Sequence, residues 1–211
     1  MKSIIHGFRI IAACVILLTV LGCGTSQPSH FYLLRGLSPS SVSGLSDTKA
    51  SSLSFGLGPV TLPKYLDRPQ IVTQSGGHEV ELAEFHKWAE PLSDNVSHVL
   101  AENLSVILST DRIEQYPWRR TTPVDFQIVV DVLQFDGTRG EEAVLSARWS
   151  LLGGDEQTVF TTRKTQVTYH PTSQDYEALV EAMSHNLEDL SREIAEAIKV
   201  LLPTILPGSI S

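Results

Sequence analysis

The chain has 211 residues, 42% of them hydrophobic, and carries 16 Lys and Arg against 24 Asp and Glu for a net charge of −8. That length and apolar content give one folded region of ordinary size with a real hydrophobic core, and exclude a disordered tail. The acidic balance argues against nucleic acid as a partner and against adhesion to anionic lipid through a basic patch.

Lys2 and Arg9 open the chain, and Ile10 to Leu21 is almost wholly apolar and ends in small residues. This is the layout of a secretory signal peptide, and the run is short for a membrane span. Val20-Leu21-Gly22-Cys23 resembles a bacterial lipobox. The resemblance implies cleavage before Cys23 and acylation of its thiol and of the new amino end. Several acyl chains hold a protein firmly, at about 0.8 kcal/mol per buried methylene. Gly24 follows the cysteine, and the absence of an aspartate there implies sorting to the outer membrane. Cys14 leaves with the signal. The mature part is then expected to lack a free thiol and a disulfide, which excludes cysteine catalysis and thiolate metal sites. The expected division is residues 1–22 as signal, 23–29 as lipidated cysteine and polar tether, 30–203 as one periplasmic domain, and 204–211 as a tail.

Beyond the tether, His30 to Arg35 reads as a strand carrying Phe31, Tyr32, Leu33 and Leu34, and the serine-rich stretch 37–52 as a loop. Leu53 to Leu62 reads as a strand whose end Pro59 and Pro63 keep irregular. A Pro-bounded loop (64–69) precedes a hairpin of Ile71 to Thr73 and Glu79 to Leu82, joined through Ser75-Gly76-Gly77. A helix follows, with Pro91 suited to its first turn. Leu92, Val96, Val99, Leu100, Leu104, Ile107 and Leu108 give it one apolar face. A polar connector, 111–123, carries Tyr116 and Trp118. Three alternating strands come next, built on Phe126 to Val132, Leu145 to Leu151 and Val159 to Thr168. Asp136-Gly137 and Gly153-Gly154-Asp155 read as turns between them, predicting an antiparallel meander. A last helix starts near Ser173, capped by Thr172 or Ser173, with an apolar stripe from Tyr176 to Leu201, and Pro203 is expected to stop it. Strands and helices in this order predict an α/β fold: a single mixed β-sheet with two long helices packed on it, an α/β sandwich.

Several segments, kept in order over nearly all of the mature chain, resemble one family. They are Phe31-Tyr32-Leu33-Leu34 soon after the lipid cysteine, Gly58-Pro59-Val60-Thr61-Leu62-Pro63, and Tyr65-Leu66-Asp67-Arg68-Pro69-Gln70-Ile71-Val72. Trp88-Ala89-Glu90-Pro91-Leu92 and Leu100-Ala101-Glu102-Asn103-Leu104 follow. Val130-Asp131-Val132-Leu133-Gln134-Phe135-Asp136-Gly137 and Leu145-Ser146-Ala147-Arg148-Trp149 complete the set. Together they are similar to the PqiC family, the ABC-type transport auxiliary lipoproteins. The resemblance implies an α/β sandwich on the periplasmic face of the outer membrane, serving a Gram-negative system built around MCE-domain proteins that carry lipid between membranes. It implies docking of a PqiB-like MCE-domain protein, and a homo-oligomer of ring form. Lys87 stands before Trp88 where arginine is the commoner residue, which leaves open any contact specific to a guanidinium there.

Tyr65, Leu66 and Arg68 suit a protein interface, where aromatic and arginine anchors contribute most. Equally, Leu66 fits a core plug and Arg68 a local ion pair. Trp88 fits either an exposed anchor or, preferably, a residue packing the start of the helix. Trp118, in a polar connector, is the better candidate for exposure, and Trp149 belongs in the core. The seven histidines show no metal-binding spacing. His78 and His86 fall near one face of the hairpin, and solvated surface is the simpler reading. There is no Gly-x-Ser-x-Gly elbow, and Gly56-Leu57-Gly58 is no phosphate loop, because Pro59 removes a donor and no helix follows. No catalytic residue, metal or cofactor is expected. Two functions therefore stand: a non-catalytic docking subunit of a lipid-transport system, and a monomeric lipoprotein binding a ligand or lipid in its own pocket.

Overall fold

The computed structural model describes residues 27–38, 50–118, 123–155 and 157–205. The signal and Cys23 lie outside the described residues. The strands are β1 (His30–Tyr32), β2 (Phe55–Thr61), β3 (Gln70–Gln74), β4 (Val80–Trp88), β5 (Ile113–Gln115), β6 (Phe126–Thr138), β7 (Glu142–Gly153) and β8 (Val159–Tyr169). The helices are α1 (Leu92–Leu108) and α2 (Tyr176–Ile205), and short 3₁₀ turns occupy Ala50–Ser52 and Lys64–Leu66.

The fold is α/β, but with two sheets rather than the single one expected. One holds β1-β4-β3 and the other β5-β2-β6-β7-β8. The separation follows from pairings that periodicity does not encode. β1 pairs in parallel with β4, not with β2. Pro63 and Pro69 bound the turn between β2 and β3, so the chain leaves the larger sheet there instead of extending it. The meander holds: β6, β7 and β8 pair antiparallel. β2 adds to β6 in parallel, with a register shift between Leu57 and Val60. Pro59 offers no N–H to the ladder in that gap, and Gln127 Nε2 donates to the Gly58 carbonyl at 2.9 Å across it. β5 is a strand inside the stretch read as a connector, joined in parallel to β2.

Both helices lie on the larger sheet and against each other, α1 over β2 and β5, α2 over β6 to β8. Every apolar residue expected on the inner face of α1 is buried. So are Leu179, Val180, Met183, Leu187, Leu190, Ile194 and Ile198 of α2. Trp149 is buried between α2 and β8, and its Nε1 donates to Thr165 Oγ1 at 3.0 Å. Thr165 in turn donates to Glu193 Oε1 at 2.8 Å.

Three local readings are corrected. Asp136 and Gly137 are not a turn but buried positions near the end of β6, and the turn falls at 139–141. Gly137 is required because a Cβ there would lie 2.2 Å from the Glu142 carbonyl oxygen of the paired strand. The α2 cap is Asp175, whose Oδ1 accepts the Ala178 N–H at 2.8 Å, while Ser173 Oγ donates to its other oxygen at 2.5 Å. Those bonds hold the Asp175 carboxyl below its ordinary pKa. Pro203 does not stop α2, which runs to Ile205. So near the C-terminus, the missing N–H deprives only the Lys199 carbonyl of its partner.

Candidate functional site

The loop after β2 is wound into a 3₁₀ turn. Leu66 N–H donates to the Pro63 carbonyl at 3.0 Å, and Asp67 N–H to the Lys64 carbonyl at 3.2 Å. The Pro69 carbonyl accepts the Trp88 N–H at 2.7 Å, tying the loop to the end of β4. Leu66 and Trp88 are buried and belong to the core. They shape this end of the molecule from within and present no surface of their own.

Tyr65 is half-buried, and its hydroxyl donates to Asp136 Oδ2 at 2.6 Å. Gln74 Nε2 donates to the same oxygen at 3.1 Å, and Gln134 Nε2 to Oδ1 at 2.9 Å. Asp136 is fully buried. A buried carboxylate is costly unless its oxygens are satisfied, and three donors from the loop, β3 and β6 do so here. Burial and the Asp136 carboxylate push the Tyr65 phenol well above its ordinary pKa, so it stays a donor. Arg68 is half-buried, and its Nε is buried without a hydrogen-bond partner.

Trp118 is half-buried, with its ring over Gly56, where a Cβ would come within 2.7 Å of the indole. Tyr116 meets it edge to face at 5.6 Å between centroids and is 58% exposed. The pair forms an aromatic ledge beside β5 in which Tyr116, not Trp118, is the more exposed ring.

A further constellation joins residues far apart in the sequence. Parallel pairing sets His30 opposite His86 and Tyr32 opposite Trp88. His86 stacks on His30 at 5.2 Å and on Tyr176 at 4.0 Å. The Tyr32 hydroxyl lies 2.7 Å from His86 Nδ1, and the Arg139 guanidinium sits over the Tyr176 ring at 4.9 Å. Burial, then His30 and Arg139, lower the His86 pKa, which favours a neutral ring accepting from Tyr32. Burial, then Glu177, raise that of Tyr32. His78 is exposed in the β3–β4 turn, in line with the solvated-surface reading, and is not part of the stack. No single segment of sequence signals this stack, because its members come from β1, β4 and the start of α2. Among the described residues no group of three His, Cys, Asp or Glu is placed to hold a metal ion.

The chain was compared with known proteins. No curated protein matches it. A crystal structure of an uncharacterised protein is similar, at 20% identity and a TM-score of 0.66, over 82% of this chain and 99% of that one. Protein XCC0632 from Xanthomonas campestris is similar at 16% identity and a TM-score of 0.62, over 81% of this chain and 95% of its own. Both likenesses are of fold. The family model described as the ABC-type transport auxiliary lipoprotein component matches residues 32–195, from the last residue of β1 to well inside α2. With most of both sheets and helices inside that match, the chain belongs to the ABC-type transport auxiliary lipoprotein family.

Proposed function

We propose that this protein is a non-catalytic outer-membrane lipoprotein of an MCE-type lipid-transport system, held on the periplasmic face by acylated Cys23. In this reading it docks the distal end of a PqiB-like MCE-domain protein and supports membrane integrity. It acts as a homo-oligomer, whose head-to-tail contacts close into a ring. The observation that carries the reading is a conjunction. An auxiliary-lipoprotein match that begins at residue 32 follows a leader ending in Val20-Leu21-Gly22-Cys23. The two surface depressions described are open and mostly polar, which favours docking over storage of a lipid inside the domain.

The test is crosslinking in intact cells with Cys23 retained, followed by membrane fractionation and mass spectrometry. Recovery in the outer membrane, linked to an MCE-domain protein and to itself, is the expected result. Recovery there as an unlinked monomer would shift the reading to a ligand-binding lipoprotein.

A further inference from the structure

β1 is an edge strand, and only one of its edges is used. Ala89 N–H donates to the Tyr32 carbonyl at 2.9 Å, so Tyr32 turns its backbone groups toward β4. Peptide groups alternate along an extended chain, so those of Phe31 and Leu33 face the other way. The ladder to β4 runs through His30 and Tyr32, no backbone bond outside it reaches Phe31 or Leu33 among the described residues, and their side chains are 64% and 47% exposed.

That free edge faces α2. Tyr32 lies by Tyr176, with ring centroids 6.5 Å apart, and the Arg35 N–H donates to Ser184 Oγ at 3.1 Å. Three strand residues advance about 10 Å and eight helical residues about 12 Å, so strand and helix run side by side. Between them lies an open groove of about 660 Å³, bridged by the Arg35–Ser184 bond. Phe31, Leu33 and Val180 give it an apolar lining and Glu177, Glu181 and Glu188 an acidic helix wall, with Arg35 on the strand side. Glu188 is taken by Arg192 at 2.7 Å, but Glu177 and Glu181 have no ion-pair partner among the described residues.

We infer that this groove takes an extended, basic peptide segment of a partner, added as a strand on the Phe31–Leu33 edge with its cations against Glu177 and Glu181. The spacing fits. Residues four apart on a helix are separated by about 6 Å along its axis, and alternate residues of a strand by about 6.6 Å. A Lys or Arg at every second position of the incoming strand therefore meets one carboxylate per helical turn. Backbone bonds supply affinity in such strand addition, and the acidic wall selects the sequence. This goes beyond the proposed role, and the groove keeps its geometry whether or not the partner is the transporter.

The test uses the full acylated chain in detergent and a fluorescein-labelled hexapeptide of alternating valine and lysine, read by fluorescence anisotropy and amide hydrogen exchange. The lysine peptide is expected to bind, a glutamate-for-lysine version to bind about tenfold more weakly or not at all, and the Phe31 and Leu33 amides to slow in exchange on binding. Leu33→Pro removes an N–H that β4 does not use, and is expected to lose binding about tenfold. Glu181→Lys, on the helix surface, is the second variant should Leu33→Pro fail to fold, and carries the same expectation. Equal binding of both peptides, or binding unchanged in the variants, overturns the proposal. So does protection of the Phe31 and Leu33 amides before peptide is added. Protection that rises with protein concentration would give the groove to a second copy, and protection that does not would give it to residues 23–26 or 39–49 of the same chain.

Discussion

The Tyr65 hydroxyl and the Asp136 carboxylate, 71 positions apart in the chain, meet at 2.6 Å beneath the loop that leaves the larger sheet. The contact joins a turn bounded by prolines to a carboxylate buried near the end of β6. It fixes the loop by satisfying a charge that would otherwise be stranded.

Tyr65→Phe keeps the ring and removes the donor, leaving Asp136 Oδ2 with Gln74 alone. Urea unfolding should show a loss of about 1–3 kcal/mol. A change below about 0.5 kcal/mol would mean that the bond contributes no more than its replacement by water.

The lowered His86 pKa has a definite consequence for stability. As pH falls through the ordinary imidazole value of about 6.5, the unfolded chain takes up its proton first. The fold therefore loses stability over that window, until His86 itself protonates. Melting temperatures at about pH 7.5 and about pH 5.5 should differ more for the native chain than for His86→Gln. An equal difference would show that the Tyr32–His86–Tyr176 stack does not resist protonation.

Gly137→Ala places a methyl 2.2 Å from the Glu142 carbonyl oxygen and 2.7 Å from Ala143 Cα, both backbone atoms. The β6–β7 pair has to spread, at a cost of about 1–3 kcal/mol by thermal or denaturant unfolding. Wild-type stability in this variant would contradict the close approach of the two strands.

Asn103 is fully buried on α1, and its Oδ1 accepts the Leu37 N–H at 2.6 Å while its Nδ2 donates to Ser191 Oγ at 3.3 Å. Asn103→Ala should speed exchange of the Leu37 amide about tenfold or more without unfolding α1. Unchanged exchange would place the restraint elsewhere.

Cys23→Ser removes the acylation site on which the proposed anchoring depends. The protein should move from the membrane fraction to the soluble fraction, as expected when several acyl chains are lost together. Continued membrane recovery would call for a different anchor.

The two helices were legible because their apolar residues repeat at helical spacing, and those residues line the core as expected. The β6–β8 meander was legible for the matching reason of period two. Where pairing is non-local, the sequence was silent. Nothing in the spacing of His30 and His86 announces a parallel pair, so the second sheet and the stack on Tyr176 were missed. Asp136-Gly137 has the composition of a turn, but its backbone pairs with Val144 and Ala143 of β7, and donors from Tyr65, Gln74 and Gln134 satisfy the carboxylate buried there. Asn95 and Asn103 break the apolar face of α1 for a reason found in another segment, the amides of Leu34 and Leu37. Of the candidate interface residues, Leu66 and Trp88 are buried in the core, while Tyr65, Arg68 and Trp118 are half-buried.

Those asparagines also decide how the domain would bear a pull applied before β1. Tension reaches three residues of β1 first, a pairing too short to resist much. Directly behind them, the Leu34, Arg35 and Leu37 amides are clasped in turn by Asn95 of α1, Ser184 of α2 and Asn103 of α1. The load is shared between the two longest elements of the fold before it can peel the small sheet apart, as the proposed anchoring at Cys23 would require.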